Sequence, residues 1–185
     1  MSLKTETRRV AVIGTSGSGK TTFARRLADR LDASHIELDA LHWQPNWTPT
    51  PASELRPLVE EATRASCWVS DGNYPALREI LWGQAETIVW LNYSFSTTFC
   101  RVLRRTLHRT FTGQELFSGN RESFRQSFAS RDSVLLYMLK TYHKRRREYP
   151  KLFQQPEWSH LTVVELRTPR LAEEFLASAG NASGA

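Results

Sequence analysis

The sequence predicts an α/β fold built on a five-stranded parallel sheet with helices on both faces, and three observations carry that expectation. An apolar run, Val10-Ala11-Val12-Ile13, leads straight into a glycine-rich loop and then into an amphipathic helical pattern. Four further strand-like runs, at about 35–39, 67–72, 86–92 and 161–166, are separated by stretches that carry helical patterns. Several of these runs are almost continuously apolar, as strands covered on both faces are.

The first unit runs from Arg9 to Leu31. Its loop, Gly14-Thr15-Ser16-Gly17-Ser18-Gly19-Lys20-Thr21-Thr22, has the pattern G-x-x-x-x-G-K-[ST], set between a strand and the helical spacing of Phe23, Ala24, Leu27, Ala28 and Leu31. Glycines let successive backbone N–H groups point inward at a polyphosphate, and the helix N-terminus adds partial positive charge at the same place. Gly14 to Thr22 are therefore the expected nucleoside triphosphate site. Lys20 would reach the terminal phosphates, and the Thr21 hydroxyl would supply an oxygen to Mg²⁺.

His35-Ile36-Glu37-Leu38-Asp39 alternates as a short second strand that delivers Asp39 at its end, and Ala40 to Trp47 reads as a structured, aromatic-rich loop. A helix is expected from Ala52 to Ala65 with Leu55, Leu58, Val59 and Ala62 inward, although Pro57 is awkward unless it lies in the first turn. Cys67 to Gly72 forms the third strand and ends on Asp71. Glu86 to Asn92 forms the fourth. A helix follows over Thr97 to Arg109, with Arg101 and Arg105 on one face. Two glycine-containing breaks precede a long helix from Asp132 to Glu148, whose buried face is Val134, Leu135, Met138, Leu139 and Tyr142, and which Pro150 ends. Leu161 to Leu166 is the fifth strand, and Thr168-Pro169 starts a closing helix striped by Leu171, Phe175 and Leu176.

At 185 residues the chain has the length of one domain, taken as 1–180 with a frayed tail at 181–185. Its net charge of +6 is unevenly placed: Arg101 to Glu148 holds twelve Lys and Arg against four Asp and Glu. Cys67 and Cys100 lack metal-ligand spacing and are expected to pack among apolar groups. Neither a signal-like leader nor a membrane-length apolar run is present, so a cytoplasmic protein is expected.

In open α/β sheets ligands gather at the carboxyl ends of the strands. Lys20, Asp39 and Asp71 meet there. Phosphoryl transfer needs positioning, a metal and positive charge rather than covalent chemistry from the protein. Asp71 is assigned to Mg²⁺ and Asp39 to the acceptor, with an Asp-Gly turn as the plainer alternative for Asp71 and a helix or turn cap for Asp39. Arg101 and Arg105 are read as catalytic cations, and the segment at about 110–131 as an arginine-bearing lid. Lys144, Arg145, Arg146 and Arg147 are read as a solvated helix face.

Gly14 to Thr22, Glu37-Leu38-Asp39, Trp68 to Tyr74, the strand Ile88 to Asn92 and the arginine helix behind it together resemble a bacterial family. It is the adenylate-kinase-like P-loop group often labelled DNA topology modulation protein. Its most telling piece beyond the loop is Asp71-Gly72-Asn73-Tyr74. The resemblance implies a nucleoside and nucleotide kinase fold with strand order 2-3-1-4-5, ATP or GTP with Mg²⁺, and lid arginines at 101, 105, 121 and 125. By analogy with adenylate kinases it also implies that the loop after the last strand, with Arg167, Thr168 and Pro169, lies at the base. The arginine that follows Asp-Gly-aromatic-Pro in adenylate kinases is absent; Arg78 is the nearest substitute.

Three functions follow. The leading one is a kinase whose acceptor lies among Asp39, His42, Trp43, Asp71, Tyr74, Arg121 and Arg125. The second is a nucleotide-dependent nucleic-acid-binding or regulatory protein using the basic segment, though no recognition motif is visible. The third is a hydrolase whose acceptor is water.

Overall fold

The computed structural model describes residues 7–112, 117–120 and 134–179. In chain order, β1 (Arg9–Gly14) leads through the glycine loop to α1 (Lys20–Leu31), and β2 (Ser34–Glu37) to the short α2 (Leu38–His42). A small antiparallel pair, β3 (Trp43–Gln44) and β4 (Thr48–Pro49), precedes α3 (Ala52–Ala62). Then come β5 (Trp68–Asp71), α4 (Arg78–Gln84), β6 (Thr87–Leu91), α5 (Phe95–Thr112), α6 (Val134–Phe153), β7 (Thr162–Leu166) and α7 (Pro169–Ala179). The five long strands form one parallel sheet in the order β2-β5-β1-β6-β7. Counting only these strands, that is the 2-3-1-4-5 order implied by the resemblance.

Alternation along β1 divides the core between two faces. Val10 and Val12 join Phe23, Leu27, Val89, Leu91, Phe175 and Leu176 on the face covered by α1 and α7. Ala11 and Ile13 join Trp68, Leu81, Trp82, Ile88, Trp90, Tyr149 and Trp158 on the other. Both faces are dry, so the strands are held in one register and their carboxyl ends form a fixed edge.

Several local expectations are corrected. Strand two stops at Glu37, and Asp39 lies in the first turn of α2. Leu38, 1% exposed, packs so closely on Gly72 that a Cβ there would meet it at 2.8 Å, so the residue after the strand is buried where the chain turns into α2. Pro57 stands inside α3 and Pro150 inside α6, which runs on to Phe153. Rings explain the second case: Tyr149 and Phe153 contact Trp90 at 5.6 and 5.8 Å, and these contacts hold the turn that the proline weakens. Leu58, Leu139 and Leu171 are exposed rather than buried. Cys100 is also exposed, and both cysteines are free. Arg121, Arg125, Asp132, most of the expected lid and the 181–185 tail lie outside the described residues. Among the described residues no helix is long and apolar enough to cross a membrane.

Candidate active site

The loop after β1 turns tightly, with Ser18 N donating to the Thr15 carbonyl at 3.1 Å, and Gly19 O starts α1 by accepting from Phe23 N. Gly17 has φ +84°, and a Cβ there would lie 2.3 Å from Val102 Cγ2 and 2.7 Å from Thr98 O of α5. Only glycine satisfies both the left-handed backbone and this close approach. The Ser18 hydroxyl oxygen is buried without a hydrogen-bond partner, an orphan of the kind a phosphate oxygen would satisfy.

Lys20 extends back along the loop, its Nζ donating to Thr15 O at 3.3 Å. Burial, and next the Arg145 guanidinium, lower its pKa to about 8, while Asp39 and Asp71 act in the opposite direction. A cation held this weakly beside other cations is prepared for an anionic guest.

Asp71, 3% exposed, ends β5 with both carboxylate oxygens engaged. Thr21 Oγ1 donates to Oδ2 at 2.6 Å, and His35 Nε2 lies 2.9 Å from Oδ1. The Thr21–Asp71 pair presents hard oxygens beside the loop, the donor type a Mg²⁺ that is otherwise bound by phosphate and water takes. Among the described residues no group of three or more His, Cys, Asp or Glu side chains could hold a metal.

On the other side of Lys20, Tyr74 donates to Asp39 Oδ1 at 2.6 Å. Burial, reinforced by Asp39, raises the Tyr74 pKa strongly, so its hydroxyl stays protonated and remains a donor. His42 packs on Trp43 and Tyr74 with ring centroids at 4.6 and 4.9 Å, and Trp43 meets Trp47 edge-on at 5.6 Å. The expected acceptor residues Asp39, His42, Trp43 and Tyr74 are thus brought together. Ser118 Oγ donates to Trp43 O, and the Asn120 amide bonds both Trp47 N and Gln44 O, so this described part of the expected lid is fastened over the β3–β4 pair.

The two arginines of α5 part company. Arg105 is among the cations that depress Lys20. Arg101 instead donates to Ser18 O at 3.3 Å and lies over the Tyr93 ring at 5.3 Å. It lines a cavity of about 260 Å³ with Gly19, Thr22, Phe23, Pro169 and Glu173. Pro169 reaches this cavity, whereas exposed Arg167 pairs with Glu165 at 2.9 Å.

Three residues have places that the sequence reading did not give them, and one of them, Arg145, corrects its assignment to a solvated helix face. Arg145 is only 9% exposed; its Nη2 donates to Tyr137 OH at 2.8 Å, and its Nη1 is buried without a partner. The signal was present, because Met138, Tyr142, Arg145 and Tyr149 follow the buried spacing of α6. His35 is the second. The third is Asn73, whose side chain bonds Gly14.

A glycine loop after the central strand of such a sheet, with a carboxylate ending the neighbouring strand, defines a P-loop kinase fold. Known structures share it. A gluconokinase from Sinorhizobium meliloti 1021 matches with TM-score 0.51 and 19% identity over 95% of this chain and 90% of that one. A shikimate kinase from Acinetobacter baumannii, in complex with shikimate, gives 0.56 and 16% over 91% and 89%. A shikimate kinase from Bacteroides thetaiotaomicron gives 0.53 and 14% over 92% and 94%. At these identities the likeness is one of fold. A family model described as an AAA domain (AAA_33) matches residues 10–169, and the chain belongs to that family. Among curated proteins none matches the sequence significantly.

Proposed function

We propose that this protein is a cytoplasmic phosphotransferase that moves the γ-phosphoryl group of ATP or GTP to a small-molecule or nucleotide acceptor, with residues 1–180 acting as one kinase-like domain. The observation that carries the reading is the glycine loop with Lys20 folded back on Thr15 O, Thr21 bonded to Asp71 at 2.6 Å and Tyr74 bonded to Asp39 at 2.6 Å, with Arg105 and Arg145 adding positive charge near Lys20. The triphosphate lies along Gly14 to Thr22, and its base occupies the cavity between Arg101 and Pro169. Thr21 and Asp71 hold Mg²⁺, which when bound neutralises phosphate charge.

The acceptor sits among Asp39, His42, Trp43 and Tyr74. Its hydroxyl oxygen bonds to the γ-phosphorus as the bond to the bridging oxygen breaks, and the nucleoside diphosphate leaves. Asp39, oriented by Tyr74, takes the hydroxyl proton. Lys20, Arg105 and Arg145 meet the charge on the transferring oxygens, each in a site where water screens it less than at the surface. The narrower likeness to the adenylate-kinase-like group labelled DNA topology modulation protein rests on Asp71-Gly72-Asn73-Tyr74. Against a nucleotide acceptor stands the missing arginine after Pro75. The fold partners named gluconokinase and shikimate kinase make hydroxy acids the first compounds to try.

The test incubates the protein with γ-labelled ATP or GTP, Mg²⁺ and panels of hydroxy acids, sugars, nucleosides and nucleotides. One chemical class should take up label, and Lys20→Met should abolish the transfer. Release of label only to water, with every panel unlabelled, would overturn the acceptor and leave a hydrolase.

A further inference from the structure

The chain between β5 and α4 leaves the sheet at Gly72, whose N–H still donates to Val12 O at 3.3 Å. Two residues further along β1, Gly14 faces the same way with no backbone strand beside it on that edge. The Asn73 side chain takes the missing strand's place. Gly14 N donates to Asn73 Oδ1 at 3.1 Å, and Asn73 Nδ2 donates to Gly14 O at 2.5 Å. One amide thus holds both polar atoms of the first loop glycine. The same Oδ1 accepts a second hydrogen bond, the third of the amide, from Tyr149 OH on α6 at 2.9 Å.

Tyr149 is 5% exposed and fixed by ring contacts to Trp90 and Phe153. It stands one helical turn from Arg145, on the same face of α6. The helix therefore meets the phosphate site twice, through the Arg145 charge felt by Lys20 and through the Tyr149 hydroxyl that steadies Asn73.

We propose that Asn73 is a positioning residue for the phosphate loop, and that Tyr149 makes the loop's geometry depend on the docking of α6. An amide held on one side by α6 keeps the Gly14 peptide in the orientation from which the loop turns. Removing the hydroxyl leaves the amide held by Gly14 alone and so less firmly oriented, and removing the amide leaves both Gly14 polar atoms without their partner. The inference rests on triphosphate binding by this loop and needs no particular acceptor.

The test uses the full chain with Asn73→Ala, Tyr149→Phe and the double variant. Calorimetry with Mg²⁺ and ATP or GTP should show affinity about tenfold weaker for Asn73→Ala and about threefold weaker for Tyr149→Phe, the range of one net hydrogen bond. Because Tyr149 acts through Asn73, the double variant should be no weaker than Asn73→Ala alone. Hydrogen exchange on the nucleotide-free protein should quicken at Gly14 in both single variants while β6 stays protected. Additive affinity losses, or a lowered melting point with unchanged Gly14 exchange and affinity, would overturn the proposal. If the wild type bound no triphosphate, the phosphotransferase reading would fall. The exchange measurement would still decide whether Asn73 and Tyr149 hold the loop.

Discussion

Lys20 carries the sharpest pH dependence at the residue scale. Its pKa of about 8 lies below the 10.5 of a free lysine because burial and Arg145 disfavour the ammonium. Bound phosphate favours the charged form, so binding above about pH 8 must recruit a proton, and affinity should fall by up to about tenfold per pH unit there. For stability the sign is opposite. Between about 8 and 10.5 the unfolded chain binds more protons at this group, so the nucleotide-free protein gains stability as pH rises through that window. Calorimetry in buffers of different ionisation enthalpy should register the proton uptake, and Arg145→Gln should move the midpoint upward. An affinity that stays flat with pH would refute the buried ammonium. Lys20, Thr21 and Asp71 were legible because each stands in a motif or at a strand end, and Asp39 because it lies just past one, in the first turn of α2. His35 was not, since its role depends on the pairing of β2 with β5, which sets Glu37 opposite Asp71 and brings His35 beside its carboxylate.

At the scale of elements, the phosphate loop and α5 are one packing unit. Gly17→Ala would drive a methyl into Val102 and Thr98 of α5 while straining a left-handed backbone. We expect a loss of about 1–3 kcal/mol in a denaturant melt, together with weakened triphosphate binding. A variant with wild-type melting and affinity would show that the loop and helix do not touch in solution. For a related reason, Pro150 does not end α6. Backbone propensity is worth a few kcal/mol at most, and aromatic packing around Tyr149 and Phe153 outweighs it. Likewise Leu58, Leu139 and Leu171 satisfy the apolar period yet stay exposed, because neighbouring elements cover only part of each helix.

For the whole molecule, the question is where the basic segment directs its charge. Arg105 and Arg145 lie near Lys20, and Arg101, though exposed, packs against Ser18 and Tyr93, so these three cations are gathered at the phosphate loop. Lys144, by contrast, pairs with Glu148 at 3.8 Å on the solvated face. Filter binding to duplex DNA should accordingly show little retention at about 0.15 M salt. Tight binding with a steep salt slope would revive the nucleic-acid reading. The sequence by itself determined the phosphate loop, the five parallel strands and the two carboxylates, because short-range patterns of glycine and apolar residues fix backbone shape locally. Only the tertiary structure decided that Arg145 is buried, that Arg101 packs on Ser18 and Tyr93 while Arg105 lies near Lys20, and that Asn73 completes the sheet at Gly14. Those outcomes depend on which distant side chains share a volume, and contacts across 59 to 83 residues leave no mark in local periodicity.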